Sequence, residues 1–266
     1  MNLYEDQFST EHDFPVVEKP SKTLIIASTG RCGSHMLGHA LYKTNSFGFP
    51  LEYANAGNLA RWQQRFGTNN FEQLMSSIMQ HRTSANGVFS IKIHYHHIPQ
   101  FGGFKNVMSL FPNARYILLS RHDVLKQAVS LAIANQTGVW IAGQRPVNEH
   151  PVYDAAQINY CLRQTILNNA SWRYTLAASG VDYVEMDFGE IKQNLASSIS
   201  RIAEFVGTEV STLPTKQATE KQSNDLNIEW TRRFLEDFDL SEELLYSKKE
   251  AILPKVTRKL QRILGR

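Results

Sequence analysis

The 266-residue chain is poor in cysteine, with only Cys32 and Cys161. They lie far apart and match no metal or redox spacing, which excludes a disulfide framework and a cysteine-built zinc module and fits a reducing compartment. Long apolar runs are missing: no stretch approaches the roughly 18 residues of a membrane span. The opening MNLYEDQFSTEHDF carries acidic residues and no apolar core, so a secretory signal is not expected and the expectation is a cytoplasmic protein. Basic charge is missing where a polyanion surface would need it. The pI of 8.8 comes from Ser247–Arg266, where seven basic side chains and one acidic one outweigh the whole chain's net +3. The remainder is net negative, so no nucleic-acid partner is expected.

Familiar phosphate loops are absent as well. No Lys follows Gly33 as a Walker A loop requires, no G-x-G-x-x-G occurs near it, and position 38 is Gly38 where a cysteine phosphatase loop begun at Cys32 would need Arg. What is present is Thr23–Leu41, TLIIASTGRCGSHMLGHAL. Leu24–Ala27 reads as a buried parallel strand, although periodicity alone does not separate it from a buried helix. Ser28–Ser34 supplies a turn, and Met36, Leu37, Ala40 and Leu41 return at helical spacing. Strand, glycine-bearing turn and helix make an anion cradle of backbone N–H groups, with Arg31 adding a full charge. The same stretch also serves as a plain strand-to-helix turn, and on its own it leaves both readings open.

The rest of the chain alternates helices and strands. Residues 1–21 read as an extended leader; residues 58–82 as helical with a break at 67–70; Val88–Tyr95 as a strand centred on Lys92; and Arg115–Ser120 as a third strand, followed at once by a helix over Asp123–Asn135. A long helix over 154–179, a strand over Val181–Met186 and a helix over Ile191–Val206 complete the pattern. This predicts an α/β fold with a mostly parallel sheet flanked by helices, binding ligand at the carboxyl ends of its strands. Arg121 follows the third strand, and Asp123, Gln127 and Ser130 share one face of the next helix. Arg121 with Ser130 would suit a second phosphate; a capping Asp on a polar surface stripe explains the same residues equally well.

Taken together, two such sites fit a nucleotide phosphorylated at both 5′ and 3′ positions. At this point the chain resembles the Stf0-type bacterial sulfotransferases, which use 3′-phosphoadenosine 5′-phosphosulfate (PAPS). The resemblance lies in Arg-x-Gly-Ser at Arg31–Ser34, FPLEY at Phe49–Tyr53, RHDVLKQAVSLAIANQTGVW at Arg121–Trp140 and, more weakly, KQSNDLNIEW at Lys221–Trp230. It covers roughly residues 22–235, leaving 236–266 as a basic helical tail, and implies a three-layer, P-loop-like fold. It also implies that Thr29, Gly30, Arg31, Cys32, Gly33, Ser34 and His35 hold the 5′-phosphosulfate, that Arg121 and Ser130 hold the 3′-phosphate, and that Glu52 is the general base. Cys32 and His35 depart from the Ser and Thr common there. Family members act on trehalose and on lipopolysaccharide, so the implied acceptor is a carbohydrate or glycolipid, bound near Phe49, Pro50, Leu51, Glu52, Tyr53 and Trp140; a homodimer is implied by the family alone.

The implied chemistry suits the residues. A sulfuryl group carries less charge than a phosphoryl group, so Arg31, loop amides and Lys92 can stabilise it without a metal, and PAP is the product. A snorkelling strand Lys is an equal reading of Lys92, and packing an equal reading of Trp140; Trp62, Trp172 and Trp230 read as core or interface. His94 and His96 would point the same way along a strand, but with no carboxylate or cysteine nearby in sequence no metal is expected. The tail over 255–266 forms a basic amphipathic pattern that could touch anionic lipid or pack on its own body. A nucleotide-dependent kinase and a non-catalytic nucleotide-binding protein of the same fold remain the rival functions.

Overall fold

The structure is a computed structural model that describes residues 6–141, 143–214 and 225–238. Four parallel strands, β1 (Lys22–Ser28), β2 (Val88–His94), β3 (Arg115–Ser120) and β4 (Tyr183–Asp187), form one sheet in the order β2-β1-β3-β4. Leaving β1, the chain first builds β2 on one side and then crosses to β3 on the other. The strand order therefore reverses beside β1, where α/β sheets place their ligand crevice. Register keeps the carboxyl ends level, pairing Ser28 with His94 and Ser120 with Asp187.

Both faces of the sheet are covered, which is why β1 and β2 read as nearly continuous apolar runs. Ile25 and Ala27 face Trp62 of α2 (Ala56–Phe66), Leu74 and Ile78 of α3 (Phe71–Arg82), Val107 of α4 (Phe104–Leu110) and Trp172 of α6 (Ala155–Ser179). Leu24 and Ile26 face Leu37 and Leu41 of α1 (Ser34–Tyr42), Ile191 of α7 (Phe188–Gln193) and Ile199 and Ile202 of α8 (Leu195–Val206). A third cluster joins Ala128 and Val129 of α5 (Val124–Thr137) to Ile158 of α6 and Trp230 and Phe234 of α9 (Asp225–Asp237). Trp62, Trp172 and Trp230 are all core residues.

Several boundaries differ from the sequence reading. The second strand stops at His94, and Tyr95–Phe101 coils into a 3₁₀ turn before α4, a helix the apolar pattern did not announce. The helix expected over 191–206 is two helices, because Asn194 leaves helical geometry between them and Asp187 caps the first through Gly189 and Glu190 N–H. The segment read as a leader is pinned to the body. Arg82, wholly buried, donates to the Gln7 and Ser9 carbonyls at 3.0 Å each and pairs with Asp13, which also pairs with Arg65. Of the weaker resemblance segment, residues 221–224 lie outside the described residues, as does the basic tail over 255–266.

Candidate functional site

A cavity of about 1290 Å³ opens over the carboxyl ends of the strands. It exceeds the roughly 300–1,000 Å³ of an ordinary small-molecule pocket, leaving room for a donor and an acceptor together. Its wall begins with the loop after β1. Arg31 there has φ 64° and Gly33 φ 94°, two left-handed positions that turn the chain sharply into α1. Gly33 is also sterically required, since a methyl group would sit 2.0 Å from the Phe188 ring. As the N-cap it supplies no capping side chain, so the first-turn N–H groups of α1 keep their capacity for an anion.

The loop is held from behind by two helices. Buried Gln127 of α5 donates to Thr29 Oγ1 at 2.9 Å and to the Gly30 carbonyl at 2.7 Å. Asn169 of α6 accepts from Thr29 Oγ1 at 3.4 Å, and the Trp172 indole donates to the Ser28 carbonyl at 2.9 Å. Sequence reasoning placed Gln127 on the Ser130 face without giving it a role, and missed Asn169; only the fold brings α6 to this loop. Cys32 is fully buried, so it offers the site its main chain and no side chain.

Arg31 and Ser130, assigned by the resemblance to opposite ends of the donor, touch in this structure. Arg31 Nε donates to Ser130 Oγ at 2.9 Å and Nη1 to the Trp140 carbonyl at 2.7 Å. Burial, reinforced by repulsion from Arg121, lowers the Arg31 pKa to about 10. Burial also lowers that of Arg121, against the attraction of Asp123 and Asp187. Two desolvated guanidiniums that repel one another form a site suited to a polyanion. Asp187 accepts from the His122 N–H at 2.7 Å, tying the loop beside Arg121 to the end of β4.

On the other side, the loop that carries Glu52 joins the sheet edge. Leu51 bridges to Ile91, and Lys92 N–H donates to the Leu51 carbonyl at 2.9 Å. This seats Glu52 beside Lys92, whose Nζ lies 3.2 Å from Glu52 Oε1, with Asn55 Nδ2 at 3.3 Å from Oε2 and His94 Nε2 at 3.7 Å from Oε1. Burial opposes the Glu52 charge but is outweighed by the histidines, Lys92 and the Asn55 bond, which hold the carboxyl well below its ordinary range. Desolvation lowers the His94 pKa to about 4, so the imidazole is neutral near pH 7 and Lys92 is then the cation that matters. Lys92 is buried, and its ammonium is committed to this pair rather than snorkelling to solvent.

Of the residues expected near the acceptor, Leu51, Glu52 and Trp140 line the cavity, while Phe49 and Tyr53 do not. Both are core: Phe49 stacks on Tyr42 and the Tyr53 hydroxyl donates to the Phe49 carbonyl at 2.6 Å. Pro50 acts through its carbonyl, which packs against Gly38 of α1. His35 lines the cavity, but burial keeps its ring neutral and its Nε2 has no hydrogen-bond partner. The geometry of the histidine cluster also needs correcting. His94 and His96 do not share a strand face, because the strand ends at His94; and a carboxylate, Glu52, does stand beside the cluster.

The family model for Stf0 sulphotransferases matches residues 23–237. The chain belongs to this family. Two curated trehalose 2-sulfotransferases are similar to it, from Mycobacterium tuberculosis (28% identical over 120 residues, 45% of each chain) and Mycolicibacterium smegmatis (28% over 122 residues, 46% of this chain and 45% of that one). The chain thus matches less than half the length of these relatives. Among solved structures, a sulfotransferase from Alicyclobacillus acidocaldarius superposes with TM-score 0.49 at 16% identity, covering 83% of this chain and 93% of that one. A mouse sulfotransferase solved with PAP gives TM-score 0.41 at 14% identity, over 89% and 74%. In this Stf0 sulphotransferase family member, Arg31, Ser130 and Glu52 line one cavity. Among the described residues no helix is long and apolar enough to cross a membrane.

Proposed function

We propose that the chain is a PAPS-dependent sulfotransferase acting on a hydroxyl of a carbohydrate or glycolipid, with Glu52 as general base. One observation carries the reading: a single cavity is lined by two arginines, Arg31 and Arg121, and by a carboxylate, Glu52, paired with Lys92. In this reading Arg121 and Ser130 take the 3′-phosphate, and the Arg31 loop with the α1 N-terminus takes the 5′-phosphosulfate. The acceptor oxygen forms its bond to sulfur as the bond from sulfur to the 5′-phosphate oxygen breaks. Glu52 receives the acceptor proton, and the loop cations and N–H groups stabilise charge on the leaving phosphate. An anionic donor beside the Lys92–Glu52 pair draws the ammonium toward itself, which raises the basicity of the carboxylate when it is needed.

The cavity lining includes the amides Asn55, Gln144, Gln164 and Asn168 as well as Trp140, with Gln144 Oε1 accepting from the Trp140 main-chain N–H at 2.7 Å. Neutral donors and acceptors beside an aromatic face suit a neutral sugar, and the names of the mycobacterial relatives favour a trehalose-like disaccharide. Thermal stabilisation by PAP, compared with ADP and ATP with either EDTA or Mg²⁺, tests the donor. Selective stabilisation by PAP in EDTA supports the reading. Preference for ATP with Mg²⁺ would replace it with a kinase, and PAP binding without sulfuryl transfer to any sugar, with Glu52→Gln changing nothing measurable, would replace it with a non-catalytic binding protein.

A further inference from the structure

The four residues His94-Tyr95-His96-His97 straddle the end of β2, and the 3₁₀ turn that follows folds the chain back on itself. Three imidazoles thereby meet at the cavity edge, with ring centroids 4.4–5.5 Å apart and one ligating atom from each within 4.8 Å of the others. A tetrahedral ion with bonds of about 2.0–2.1 Å needs its ligands roughly 3.4 Å apart, a gap closed by small side-chain rotations. His94 is only 7% exposed, and its Nε2 has no hydrogen-bond partner although it lies 3.7 Å from Glu52 Oε1. A buried ring nitrogen left without a partner costs free energy unless something occupies it.

We propose that His94 and His96, joined by Glu52, whose Oε1 lies 3.7 Å from His94 Nε2, form a binding site for one divalent transition-metal ion of the zinc class. Two imidazoles and a carboxylate are the ligand types that zinc and its neighbours accept, whereas Mg²⁺ and Ca²⁺ demand oxygen shells. His97 plays a different part. Its Nδ1 accepts from the His94 main-chain N–H at 3.2 Å, which places its own proton on Nε2 and makes it a brace for His94. It joins the ion only by giving up that bond. His94, His96 and Glu52 all line the cavity, so the remaining coordination position opens toward the acceptor space. The ion displaces Lys92 from Glu52 and occupies the oxygen that accepts the acceptor proton. If Glu52 is the base, as proposed above, the bound ion is a reversible inhibitor rather than a cofactor.

The full chain, stripped with a chelator and exchanged into chelator-free buffer, is titrated with zinc chloride by calorimetry, without nucleotide or sugar. Uptake of one ion per chain is expected, with no heat from magnesium chloride. His96→Ala, at an exposed position whose loss leaves the core intact, and Glu52→Gln should each weaken binding at least about tenfold. His150→Ala, outside the cluster, should not. Cobalt substituted for zinc should give the intense visible bands of a low-coordinate site, lost in His96→Ala. No uptake, or uptake that both variants retain at parental affinity, overturns the site. Because the titration uses neither donor nor acceptor, its result is separate from sulfuryl transfer; zinc occupancy that left turnover unchanged would overturn only the inhibition.

Discussion

Lys92 and Glu52 come from different elements, the middle of β2 and the loop after α1, and meet with Nζ 3.2 Å from Oε1 because Leu51 hydrogen-bonds to the β2 edge. His94 Nε2 lies 3.7 Å from the same Oε1, so the neighbouring groups act on one carboxylate. That makes Glu52 the most informative position to change.

Glu52→Gln should lower kcat by about 10²–10⁴-fold, the usual worth of a general base, while leaving stabilisation by PAP intact. Turnover with labelled donor and a panel of sugars, read beside the melting shift, separates the two effects. A variant with full activity would remove Glu52 from the mechanism.

Arg121→Ala should raise the KM for donor by about ten- to a hundredfold, since a charge-assisted bond to phosphate is worth about 1.5–3 kcal/mol. Its mark is lost discrimination: the variant should bind PAP little better than the nucleotide without the 3′-phosphate. Ser130→Ala should do the same to a smaller degree. Equal loss for both nucleotides would place Arg121 elsewhere on the ligand.

Gln127→Leu tests the support of the cradle. Removing its amide leaves Thr29 Oγ1 and the Gly30 carbonyl without these donors, a cost of about 1–3 kcal/mol for buried groups. A lower melting point and a raised donor KM with a smaller change in kcat are expected. A variant that melts lower but binds donor normally would make Gln127 purely structural.

Acid should destabilise the fold below about pH 6.5. Burial lowers the pKa of His39 and His94 to about 4 and of His97 to about 3. Between those values and 6.5 the unfolded chain binds protons that the folded chain refuses, so acidification favours unfolding. Glu52, held below the ordinary carboxylate range, adds to the loss at still lower pH. Melting temperatures from pH 7.5 down to 4.5 check this, and a flat profile would contradict the burial of these rings.

Much of the fold was legible because the strands carry it. β3 falls on RYILLS as read, and the strand, turn and helix read over Thr23–Leu41 appear as β1, its loop and α1. Glu52 was different. Nothing in FPLEY separates its Glu, which lines the cavity, from its Phe and Tyr, which are core; only tertiary packing decides that, and the role of general base is implied by the resemblance alone. Asn169 lies 140 residues from Thr29, too far for any local pattern to join them. The shared strand face of His94 and His96 fails for a local reason: the alternation runs only to His94, two residues short of His96, so the fold-back that gathers the histidines and brings Glu52 beside them is invisible in the sequence.

Gly38 of α1 lies so close to the Glu52 loop that a methyl group there would be 2.6 Å from the Pro50 carbonyl. The α1 helix and the loop that carries Glu52 are therefore packed backbone against backbone. Their separation owes little to the side chains that line the acceptor space. On the proposed reading, substitutions among those side chains would change which molecule is modified while the spacing between donor loop and Glu52 stays the same.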